Sequence, residues 1–147
     1  MHLFDLIPQA WRGWMARCHM EQNRIGHSGS MVFRLTGPDR HVMYLKIRAI
    51  SEGGLLAEKH RLEWLQGLLP VPKVLGFETN YGYEFLLMSE IRGVPSFHHS
   101  LRHDIPGLMG QLASGLRMIH QLDRDRCPFY APLHEKLEAV RSRCEKR

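Results

Sequence analysis

Tyr44 and Lys46 stand two residues apart in the stretch His41-Val42-Met43-Tyr44-Leu45-Lys46-Ile47, and Glu58 follows twelve residues after the lysine. Read as a strand, this stretch alternates its side chains between two faces. Met43, Leu45 and Ile47 then share one face, and Val42, Tyr44 and Lys46 share the other. The strand is too apolar for the surface, and lysine is rarely buried without a partner. An anion is therefore expected beside Lys46, and Glu58 is the candidate. Just upstream, Ser28-Gly29-Ser30 are small residues in a turn that enters a strand. Such a turn brings backbone N–H groups close to phosphate oxygens. Aromatic ring, partnered lysine and small-residue turn together predict one side of a nucleotide pocket.

The elements that must hold these groups are legible from periodicity. Residues 9–17 suggest a short helix, and a first strand is expected near residues 21–26. A second strand over Met31–Leu35 closes a hairpin through Thr36-Gly37-Pro38-Asp39-Arg40 onto the Tyr44/Lys46 strand, Gly and Pro setting the turn. Residues 51–68 carry Leu55, Glu58, Leu62, Leu65 and Leu69 in one helical stripe, with Ser51 as the expected N-cap. Glu58 interrupts that stripe on its inward face, while Arg61 and Glu63 fall outside. Pro70 and Pro72 end the helix. Two strands, 73–78 and 83–90, follow around Asn80-Tyr81-Gly82, and the apolar middle of the second predicts a central position in the sheet. From Ile91 to Asp104 the chain is polar and irregular. Asp104 and Pro106 then open a helix with an apolar stripe of Ile105, Leu108, Met109, Leu112, Leu116 and Ile119. A last helix is expected from Pro132, with Leu133, Leu137, Val140 and Cys144 on its inner face.

Composition narrows the classes. The 147 residues carry a net charge of +5, much of it near the end at Arg141, Arg143, Lys146 and Arg147. Charged ends are usually solvated, and no nucleic-acid motif accompanies these. No apolar run approaches a membrane span, and residues 1–10 do not read as a signal peptide. Cys18, Cys127 and Cys144 have no metal-ligand spacing. Reduced thiols and a cytoplasmic location are expected. His98-His99 and His103 form the single histidine cluster, in a polar linker, and no metal site is assigned.

The order of these elements is that of a kinase N-terminal lobe, and the wording is closer still. The segments IGHSGSMVFRL, MYLKI, AEKHRLEWLQGLLPVPKVL, FLLMSEIRGV and MIHQLDRDRCPF resemble the aminoglycoside 3'-phosphotransferases over about residues 20 to 145. The resemblance implies an α+β fold: a protein-kinase-like N-terminal lobe (antiparallel sheet plus one helix) at 1–93, a hinge at 94–104 and the first helices of a C-terminal lobe at 105–147. It also implies roles. Lys46 would hold the α- and β-phosphates of ATP, oriented by Glu58. Tyr44 would lie against the adenine, with Val32 opposite. Main-chain groups of Ser89 and Ile91 would bond the adenine edge, and Ser28, Gly29 and Ser30 would cover the phosphates. The parent enzyme would use ATP with Mg2+ and an aminoglycoside substrate.

One departure is equally plain. The family's catalytic aspartate sits in a His-Gly-Asp segment, followed by a metal-binding asparagine and an Asp-x-Gly. None of these occurs in the 147 residues; the look-alikes His103-Asp104 and His120-Gln121-Leu122-Asp123 fall in a linker and at a helix end. Phosphoryl transfer of this type works by positioning plus metal electrostatics. The expectation is an N-terminal part of such an enzyme, inactive alone, with no catalytic residue or metal ligand assigned. The alternatives are a non-catalytic remnant that binds nucleotide or a partner, and a basic nucleic-acid binder. The helices after residue 104 are expected to expose apolar stripes and to promote self-association.

Overall fold

The computed structural model describes residues 3–23, 29–129, 137–138, 140–142 and 144. Two short helices, α1 (Leu3–Leu6) and α2 (Gln9–Met15), lead into β1 (His19–Asn23), β2 (Met31–Thr36) and β3 (Val42–Ala49). Helix α3 (Leu56–Leu65), β4 (Val74–Asn80), β5 (Tyr83–Ser89) and α4 (Ile105–His120) follow. The five strands form one antiparallel sheet in the order β1-β2-β3-β5-β4. β5 is therefore internal, as its apolar middle predicts.

The alternation along β3 divides the core into two layers. On one face, Leu35, Leu45, Ile47 and Phe85 are fully buried under Leu6, Ile7, Trp11 and Met15 of the N-terminal segment. On the other face, Leu86 and Met88 of β5 pack with Leu55 at the start of α3, alongside Tyr44, Leu62, Val74 and Phe77. Lys46 and Tyr44 thus lie on the α3 face. Trp11 presses so closely on β4 that a Cβ at Gly76 would come within 2.9 Å of its ring, where the β4–β5 register shifts. Glycine is the residue that permits this approach.

The turns differ from expectation in detail. Asn80 pairs with Tyr83, so Tyr81 and Gly82 alone form the β4–β5 turn, at φ of 46° and 77°. Two consecutive positive φ values match the twist of a tight hairpin. Asn80 does not supply the left-handed residue; its side-chain amide donates to the Leu6 carbonyl at 2.9 Å and ties the hairpin to α1. In the β2–β3 turn Arg40 takes φ 62°, while Asp39 accepts from the His41 N–H at 3.1 Å.

Ser51 does not cap α3. It lies in a 3-10 turn, Ile50–Glu52, and Gly53 and Gly54 at φ of 101° and 60° separate that turn from the helix. Glycine makes this left-handed stretch accessible, and α3 starts only at Leu56. α4 begins where expected, with the Asp104 carboxylate accepting from the Gly107 N–H at 2.9 Å. Its glycines suggest that it must pack to persist, yet none of its residues is buried. Pro132 and Leu133 lie outside the described residues; residues 137, 138, 140–142 and 144 are helical and exposed. No helix among the described residues is long and apolar enough to cross a membrane.

Candidate nucleotide-binding site

Lys46 reaches from the sheet to α3 and donates to both carboxylate oxygens of Glu58, at 2.9 Å and 2.7 Å. The lysine side chain is 17% exposed and the glutamate 38%, so the pair sits at the rim of the sheet–helix layer. Glu58 lies in the first turn of α3, where the helix dipole favours a carboxylate. Along α3, Lys59 and Glu63 form an ordinary i,i+4 pair.

Strand register shows what surrounds the lysine. Asn23, Val32, Lys46, Leu86 and Phe77 form one cross-strand row. Glu21, Arg34, Tyr44, Met88 and Val74 form the next. Val32 therefore stands directly across from Lys46 and diagonal to Tyr44. Tyr44 is half-buried against the Leu86–Met88 cluster.

At the end of β5 the main chain is partly committed. The Ser89 N–H donates to the Lys73 carbonyl at 2.9 Å, and the Ser89 hydroxyl accepts from the Lys73 N–H at 2.9 Å. Ser89 could offer a base only its carbonyl. Ile91 is exposed, and its main chain makes no hydrogen bond among the described residues. Gly29 is exposed at φ 70°, near the Glu52 carboxylate, and Ser30 leads directly into β2. Ser28 lies outside the described residues.

One residue that positions the site escaped sequence reasoning. Glu84, on β5, is buried, and its carboxylate accepts the N–H groups of Leu55 and Leu56 at the start of α3. It does the work of an N-cap from 28 residues away. A Cβ at Gly54 would fall on that carboxylate. The available signal was a lone acid in an apolar strand opposite a Gly-Gly break.

Among the described residues no three His, Cys, Asp or Glu side chains converge on a metal position. A cavity of about 610 Å3, lined by Trp64, Gly67, Leu68, Met118, Gln121 and Leu122 among others, lies between the end of α3 and the end of α4. It contains none of the predicted site residues.

Comparison with known proteins bears on the family and the fold. An aminoglycoside 3'-phosphotransferase of Niallia circulans is 32% identical over 131 residues, covering 88% of this chain and 50% of that protein. One of Staphylococcus aureus is 38% identical over 117 residues, covering 76% and 44%. The crystal structure of a type VIII aminoglycoside-3'-phosphotransferase superposes with a TM-score of 0.75 at 30% identity, covering 99% of this chain and 55% of that one. The chain spans about half the length of the curated relatives it matches, and its sheet and helices match their kinase-like N-terminal lobe. The model of the phosphotransferase enzyme family matches residues 19–147, and the chain belongs to that family.

Proposed function

We propose that this chain is the nucleotide-binding part of an aminoglycoside phosphotransferase, an enzyme that phosphorylates an aminoglycoside hydroxyl from ATP and confers resistance in the cytoplasm. The observation that carries the proposal is the double hydrogen bond of Lys46 to Glu58. It holds an ammonium on the sheet face beside Tyr44, where a cation and a ring suit a phosphate and a base. In this reading Lys46 holds the α- and β-phosphates, Glu58 fixes its position, Tyr44 and Val32 border the adenine, and the Ser89 carbonyl with Ile91 meets its edge. Ser28, Gly29 and Ser30 close over the phosphates. When bound, ATP supplies the phosphoryl group and Mg2+ its charge neutralisation; the residues described here supply binding and orientation. Titration of the chain with MgATP and with adenosine, followed by NMR, tests the proposal. Millimolar binding with shifts at Tyr44, Lys46 and Ile91 is expected, and no response to either ligand overturns it.

The 147 residues include no His-Gly-Asp segment, and two outcomes follow from the same reading. The purified chain incubated with MgATP and kanamycin or neomycin is expected to give no phosphorylated antibiotic; turnover above a no-enzyme control contradicts this. The second outcome concerns α4. Ile105, Met109, Leu112, Leu116 and Ile119 form one stripe, each about half exposed. An apolar surface of that extent favours association. Light scattering is expected to show mass rising with concentration, and Leu112→Glu with Leu116→Glu is expected to restore a monomer. A monomer at every concentration would contradict it.

A further inference from the structure

β3 carries a further charged residue on the Lys46 face. Arg48 follows Lys46 by two positions, farther along the strand from the Ser89 end. At roughly 3.3 Å per residue, its Cα lies about 7 Å beyond that of Lys46. Its cross-strand neighbour on β5 is Glu84. On the other side, Met31 pairs with Ile47, so Ser30 falls opposite Arg48 one step past the last pair.

Among the described residues, two side-chain polar atoms are buried with no hydrogen-bond partner: Ser30 Oγ and Arg48 Nε. They belong to adjacent positions on one face of the sheet. Buried polar groups are ordinarily satisfied, and a lone pair of exceptions side by side calls for a physical explanation. The carboxylates around them do not provide one. Glu84 is engaged by the N–H groups of Leu55 and Leu56. Glu58 is engaged by Lys46. Glu52 lies beside Gly29, yet none of these acids forms an ion pair with Arg48 among the described residues. An arginine Nε–H without an acceptor, with no carboxylate in ion-pair contact and an unbonded hydroxyl at the neighbouring position, has the donors of a phosphate fork.

We infer that Arg48 and Ser30 form a phosphate subsite at the outer end of β3, beyond Lys46, which takes the phosphate farthest from the base. The inference rests on the nucleotide reading above. Tyr44, Lys46 and Arg48 stand in line along one strand face, the order base, inner phosphates, outer phosphate. The subsite distinguishes a nucleoside triphosphate from the shorter nucleotides.

The test uses the full 147-residue chain and four ligands: ATP, ADP, adenosine and inorganic tripolyphosphate. Arg48→Gln is expected to weaken ATP and tripolyphosphate at least fivefold, to change ADP less than twofold and to leave adenosine unchanged. Arg48→Lys is expected to recover part of the ATP loss, and Ser30→Ala to lose two- to threefold for ATP alone. Thermal unfolding of each variant accompanies the titrations. Unchanged ATP and tripolyphosphate affinity in a folded Arg48→Gln overturns the inference, as does equal loss for ATP, ADP and adenosine. A wild-type chain that ignores both ATP and adenosine defeats the nucleotide reading instead. In that event tripolyphosphate binding that depends on Arg48 still supports the subsite, and tripolyphosphate binding that does not depend on it, or is absent, overturns it.

Discussion

Lys46→Met is expected to reduce ATP affinity by roughly 10- to 100-fold, because a hydrogen bond to a charged group contributes about 1.5–3 kcal/mol. Methionine keeps the apolar stem that packs on the sheet and removes only the ammonium. Adenosine affinity should stay within twofold, since nothing in the pair faces the base row of Tyr44 and Met88. Titration of both ligands against both proteins measures this. An ATP affinity equal to that of the wild type would show that Lys46 serves α3 packing and not a phosphate.

The same pair gives an ordering of stabilities. Removing the ammonium leaves Glu58, whose side chain is 38% exposed and can hydrate, so Lys46→Met should cost about 1 kcal/mol or less. Removing the carboxylate leaves Lys46, only 17% exposed, with its charge uncompensated. Glu58→Gln should therefore cost more, about 1–3 kcal/mol. This is below the roughly 3–5 kcal/mol of a fully buried pair, because both groups retain some water. Thermal unfolding at low salt should rank wild type, then Lys46→Met, then Glu58→Gln, and a reversed order of the two variants would contradict the burial argument.

What the sequence could express about this site follows from the range of the interactions. Lys46 and Glu58 were legible because each breaks a local period: a cation in an alternating strand, an acid in a helical stripe. Two such exceptions at the right separation imply each other. The apolar middle of β5 likewise implied its central place, since only a strand with neighbours on both sides needs that pattern. Glu84 was illegible because its partners, the N–H groups of Leu55 and Leu56, are backbone donors that every sequence possesses. Nothing marks them as orphaned until the start of α3 is known, and that start was misplaced. Ser51 has the chemistry of a cap, but Gly53 and Gly54 in left-handed conformation break the chain between it and the helix. Residues 9–17 suggested a helix without saying what it covers, because a local pattern does not name its partner. Arg48 lies beyond residues 41–47, the stretch that reads as the strand, and only the register sets it beside Glu84 and one step past the Met31–Ile47 pair.

Glu84→Ala is expected to be the most destabilising of these substitutions. Its carboxylate is buried and satisfies two N–H groups that the first turn of α3 cannot pair internally. Losing a cap costs about 0.5–2 kcal/mol, and losing a charged acceptor from buried donors about 1–3 kcal/mol. A combined loss of about 2–3 kcal/mol lowers the melting temperature by roughly 6–12 °C in a chain of this size. Glu84→Gln keeps one acceptor oxygen without the charge and should lose about half as much. Because α3 carries Glu58, which holds Lys46, ATP affinity should fall in both variants while adenosine affinity does not, the same pattern as Lys46→Met, reached here by displacing the lysine. If Glu84→Ala unfolds within 1 °C of the wild type, water caps α3 as well as the carboxylate does, and the sheet does not set the helix that holds Lys46.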